Sequence, residues 1–64
     1  MFKGEVLLAK LEEKILTQAQ LARRVGLSKM MIHYLIHGLK DTNTTTALRI
    51  ASVLECTVDE IVKL

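Results

Sequence analysis

Apolar residues recur at intervals of three and four along most of the chain, and the pattern is broken by polar capping residues instead of proline. Five apolar stripes result: Leu7, Leu8, Leu11 and Ile15; Leu21, Ala22 and Val25; Met31, Ile32, Leu35 and Ile36; Ala47, Leu48, Ala51 and Leu54; Val58, Ile61, Val62 and Leu64. Each fits one face of a helix, so the pattern predicts helices over residues 4–15, 18–25, 29–37, 45–54 and 58–64. Helices this short do not hold alone in water, so the domain is expected to fold cooperatively around one shared core.

The breaks carry their own chemistry. In Leu16-Thr17-Gln18-Ala19-Gln20-Leu21, Thr17 is placed to cap a helix starting at Gln18, Gln20 to return the hydrogen bond, and Leu16 to pack against Leu21. Cys56-Thr57-Val58-Asp59-Glu60-Ile61 repeats the device with Thr57, Glu60 and the pair Cys56 and Ile61. Leu27-Ser28-Lys29-Met30-Met31-Ile32 has the Ser28 cap and the apolar pair without the returning side chain. The threonine run from Thr42 to Thr46 is read as a loop and cap for the fourth helix, with phosphate contact as the sharper alternative.

Composition narrows the class. The chain has 64 residues, no Pro, three Gly and two aromatics, Phe2 and Tyr34, which disfavours a strand-rich fold. A chain of this size encloses one core, so residues 1–64 are expected to form a single all-α domain, a compact five-helix bundle. No apolar run approaches the roughly 18 residues of a membrane span, and nothing resembles a signal peptide, so a soluble cytoplasmic protein is expected. The lone Cys56 cannot form an internal disulfide.

Charge is distributed unevenly. Residues 1–15 balance three Lys against three Glu, and residues 41–64 set Arg49 and Lys63 against Asp41, Glu55, Asp59 and Glu60. Between them, residues 16–40 carry Arg23, Arg24, Lys29 and Lys40 and no acid, a block suited to a polyanion.

Only Gly26, Leu27 and the Ser28 cap separate the second and third helices, a connection that predicts a helix-turn-helix. Gly26 is suited to a left-handed helix end, Ala22 is small at the close approach, and Leu21, Val25, Ile32 and Leu35 are expected to point inward. The run from Leu16 to Ser28, followed by Ile32, Leu35, His37-Gly38 and the segment Thr46 to Leu54, resembles the Cro and lambda-repressor-like helix-turn-helix family. The likeness covers residues 16–64, and the first helix matches only as an amphipathic segment. Ile15 stands near where members often have Gly, and Asp41 where many are basic, which is expected to weaken backbone affinity.

The resemblance implies a DNA-binding transcriptional regulator, in the first instance a repressor, that lays residues 29–37 in the major groove of double-stranded DNA as a homodimer. It implies phosphate contacts from Thr17, Gln18, His37, Lys40, Asn43 and Thr44, and base reading by Lys29, Met30 and Tyr34, with His33 beside them. The residues agree with such a role: helix starts at Gln18 and Lys29, the second capped by Ser28, present free amides and a positive dipole end to phosphate. Lys29 can donate to guanine, Met30 can pack on a thymine methyl, and Tyr34 can stack or donate once. With no Gln, Asn or Arg at these base-reading positions, discrimination is expected at the low end of about 1–3 kcal/mol per changed base pair, with a larger share from DNA shape.

Plainer readings stand beside these. Met30 and Met31 point about 100° apart, so Met31 is expected inward and Met30 outward. Arg23 and Arg24 also read as solvated helix residues, and Arg49 as a structural partner of Glu55 or Glu60. His33 and His37 lie one turn apart but lack a third ligand nearby, so no metal and no cofactor is expected. Ser28 and His33 lack an orienting acid, so neither an enzyme nor a small-molecule site is expected. The rival from another class is a helix-turn-helix kept as a protein-interaction or dimerisation module, as in an antitoxin-like regulator; the cationic middle block favours DNA. Val58, Val62 and Leu64 are candidates for the contact between two copies or, equally, for completing the core.

Overall fold

The computed structural model describes residues 2–63. Among them the chain forms α1 (Gly4–Glu13), α2 (Gln18–Val25), α3 (Lys29–Ile36), α4 (Thr44–Val53) and α5 (Val58–Ile61). α2 packs on α3 and α4, α1 on α3 and α5, and α4 on α5, within an envelope of 27 × 21 × 20 Å. Leu7, Leu21, Ile32, Leu35, Ile50, Leu54 and Ile61 form the innermost layer of the all-α core. Leu16, Leu27 and Cys56, each preceding a helix cap, pack half-buried against it. The sole thiol is held above its usual pKa, first by that burial and then by the nearby Glu60 carboxylate.

Caps set the helix starts. The Gln20 N–H donates to Thr17 Oγ1 at 3.1 Å while the Thr17 N–H donates to Gln20 Oε1 at 2.8 Å, the reciprocal box expected from the sequence. The Met31 N–H donates to Ser28 Oγ at 3.0 Å. Before α5, the Glu60 carboxylate accepts the Thr57 N–H at 2.8 Å, and this bond, with Lys10 nearby, lowers the Glu60 pKa. α4 starts one residue earlier than predicted, because Asn43 caps it by accepting the Thr46 N–H at 2.8 Å.

Four helices end on a left-handed residue: Ile15, Gly26, Gly38 and Glu55. α1 therefore stops before Ile15, which the stripe pattern placed on the buried face. The Ile15 and Leu16 N–H groups turn back to the Glu12 and Leu11 carbonyls, and the Ile15 side chain, at φ 55, is left 88% exposed. This left-handed conformation suits glycine, and a β-branched residue held in it is strained. Ile15→Gly forfeits almost no burial and relieves the strain, partly offset by the flexibility glycine adds to the unfolded chain. We expect a net gain of about 1 kcal/mol, a rise in melting temperature of roughly 4–8 °C. An unchanged or lower melting temperature by calorimetry would show that Ile15 is not strained.

The other departures concern stripe edges. Leu8 is 40% and Leu48 55% exposed; in α4 the inward position belongs to Ile50, which shares one face with Ala47, Ala51 and Leu54. α3 ends at Ile36 with His37 as its cap. α5 is a single turn, because Val62 leaves the helix to form an antiparallel bridge with Phe2, and the Lys3 N–H donates to the Ile61 carbonyl at 2.7 Å. Phe2, which no stripe included, is thereby buried. Leu64, assigned to the last stripe and to a dimer contact, lies outside the described residues. Glu55 pairs with Lys14 at 2.9 Å and Glu60 with Lys10 at 4.0 Å, so neither partners Arg49 as expected.

Candidate nucleic-acid interface

The geometry of the α2–α3 pair begins at Gly26. At φ 75 it lets the Leu27 N–H turn back to the Ala22 carbonyl at 2.9 Å, so the chain leaves α2 and reaches the Ser28 cap within two residues. Leu21, Ala22, Val25, Ile32 and Leu35 are all buried between the elements, which fixes the opposite face of α3 toward solvent.

On that outer face Lys29, Met30 and His33 are exposed, Met30 by 57%, while Met31 is half-buried against the core. Tyr34 is half-buried, so only part of its side chain is open to solvent. Gln18, at the start of α2, lines a shallow cleft of about 360 Å³ together with Lys29, Met30 and His33. The two helix starts are thus brought together around one concave surface, with the backbone amides of Gln18, Ala19, Lys29 and Met30 beyond the reach of their own helices.

The histidines continue the strip. The His33 and His37 rings lie with centroids 4.3 Å apart, and His33 meets Tyr34 edge-on at 6.1 Å. Lys40, in the loop after α3, sets its Nζ 5.2 Å from the Tyr34 ring centroid, a cation–π contact that ties the loop to α3. No local spacing announces this pairing, since Lys40 lies beyond the end of α3. Among the described residues no group of three or more His, Cys, Asp or Glu side chains is arranged to hold a metal ion.

The remaining predicted contact residues already have structural duties, but not ones that consume their donors. The hydroxyl oxygens of Thr17 and Ser28 accept cap hydrogen bonds and keep a proton to give outward. Asn43 uses its carbonyl oxygen as the α4 cap and retains its amide donors, and Thr44 is exposed beside it. Arg23 and Arg24 are both exposed in the last turn of α2, where a cation also complements the helix dipole.

Among the described residues no helix is long and apolar enough to cross a membrane. A sequence model described as helix-turn-helix matches residues 7–61. No curated protein and no solved structure matches the chain.

Proposed function

Since the chain belongs to the Cro and lambda-repressor-like helix-turn-helix family, whose members are DNA-binding regulatory domains, we propose that it is a sequence-specific transcriptional repressor acting as a homodimer. Residues 29–37 enter the major groove, with Lys29, Met30, His33 and Tyr34 toward the bases. Thr17, Gln18, Ser28, His37, Lys40, Asn43 and Thr44 hold the backbone on either side. The observation that carries this reading is the strip that runs from half-buried Gln18 across exposed Lys29, Met30 and His33 to His37. It combines cationic and hydrogen-bonding groups with two helix starts, and the acids that neutralise Lys10 and Lys14 lie off it, on α1, α5 and the turn after α4.

One domain spanning residues 1–64 carries the binding, and its place of action is the cytoplasm, on the nucleoid. Two copies about one helical turn apart, roughly 34 Å, combine their contacts on a two-fold-related site. Leu48 and Val58, which line one groove at the α4–α5 junction, are the candidate contact between copies. Val62 is engaged with Phe2 instead.

Titration of a labelled duplex by fluorescence anisotropy between 50 and 200 mM salt tests the proposal. With about six phosphate contacts per dimer, affinity should fall roughly 10³-fold across that range, and two chains should be present in each complex. Binding that ignores salt, or none to any duplex, would favour the protein-interaction role. Sites selected from a random duplex library would then reveal whether a two-fold sequence is preferred.

A further inference from the structure

The two ends of the described chain meet beside the end of α3. The Phe2–Val62 bridge and the hydrogen bond from the Lys3 N–H to the Ile61 carbonyl fix the backbone on both sides, anchored by buried Phe2 and Ile61. As a result Lys3 and Lys63, sixty positions apart in sequence, line one cleft of about 660 Å³ together with His37 and Glu5. Among the described residues no acid pairs with either lysine, in contrast to Lys10 and Lys14, which are bound to Glu13, Glu60 and Glu55.

The position of this cleft gives it a partner. α3 has eight residues and therefore spans about 12 Å, close to the width of the major groove. Its first turn adjoins Gln18, and its last turn adjoins Lys3 and Lys63. A helix seated in the groove brings its two ends toward the two sugar-phosphate backbones that bound it. We infer that Lys3 and Lys63, held together by the terminal bridge next to His37, form a second phosphate-binding patch that grips the DNA strand opposite the one met by the start of α2. The inference rests on the proposed DNA-binding role and adds to it a clamp across the groove. Glu5, in the same cleft, weakens the patch.

The test uses the full chain and both a random-sequence duplex and a selected site. Lys3→Gln combined with Lys63→Gln should flatten the slope of log affinity against log salt by nearly two per protomer, about 0.9 for each lost phosphate contact. At 0.1 M salt, affinity should drop about tenfold or more, equally on every sequence. Lys3→Arg with Lys63→Arg should retain the slope, Glu5→Gln should raise affinity a few-fold, and Lys14→Gln should change neither quantity. If a double Gln variant with a normal circular dichroism spectrum keeps the wild-type slope, the patch is overturned while the DNA-binding role stands. If the glutamine pair unfolds the chain, the single variants and Glu5→Gln decide by the same slope. If the wild-type chain binds no duplex at all, both readings fall together.

Discussion

Gly4→Ala is expected to cost about 3 kcal/mol or more, at the upper end of what overpacking a core contact removes. For a chain of 64 residues the total stability is of the order of 3–10 kcal/mol, so much of the population would be unfolded near 37 °C. The sign runs against the usual rule, since alanine within a helix ordinarily stabilises it by about 0.5–1 kcal/mol relative to glycine. The reason is space. A Cβ on Gly4 would overlap the backbone carbonyl oxygen of Ile36, and a backbone atom in the last turn of α3 cannot swing aside as a flexible side chain can. Either α1 lifts from α3, opening the core around Leu7 and Leu11, or the end of α3 shifts and carries His37 and the Lys40 loop with it. Urea titration followed by circular dichroism measures the loss. An alanine variant as stable as the parent would mean that α1 and α3 do not approach this closely.

Gly4 also marks where sequence reading stops. The stripe pattern made it only the first residue of a helix, because its constraint comes from Ile36, thirty-two positions away and invisible to local periodicity. The same holds for the short α5: Val62 fits the apolar spacing, but its pairing with Phe2 outcompetes another helical turn. Local signals performed better wherever the determining group lay within four residues. The Thr17–Gln20 box, the Ser28 cap and left-handed Gly26 were all legible in order. Hence the span of α2 and the start of α3 were predicted to the residue. In α4 the local signals compete: Ala47, Ile50, Ala51 and Leu54 make a better stripe than one containing Leu48, and Asn43 is a stronger cap than the threonines after it.

The interface was legible in a different sense. That Lys29, Met30 and His33 face outward follows from the inward direction of Ile32 and Leu35 on an eight-residue helix, which periodicity alone supplies. The cation–π link between Lys40 and Tyr34, and the meeting of Lys3 with Lys63, depend on how the chain folds back, and no spacing announces them. The fold thus sets two cations from outside the block between residues 16 and 40, Lys3 and Lys63, beside His37 at the end of α3.

Lys29→Ala should remove about 1–3 kcal/mol of affinity for the preferred site, a loss of roughly 5- to 150-fold, while leaving binding to unrelated duplexes nearly unchanged. Lys29 is the first residue of α3, its backbone held by the Ser28 cap and its side chain exposed beside Gln18, Met30 and His33. On the proposed reading, a long donor in the first turn of α3 can reach guanine, which presents two acceptors on one edge. Met30 beside it offers no polar group, so little else at the start of α3 can replace the lost hydrogen bonds. Lys29→Arg should preserve the preference, because the guanidinium reaches the same two acceptors. Competition binding of both variants against operators changed one base pair at a time distinguishes a base reader from a phosphate ligand. A base reader loses its preference at one position only, whereas a phosphate ligand loses affinity equally everywhere and flattens the salt dependence by about one.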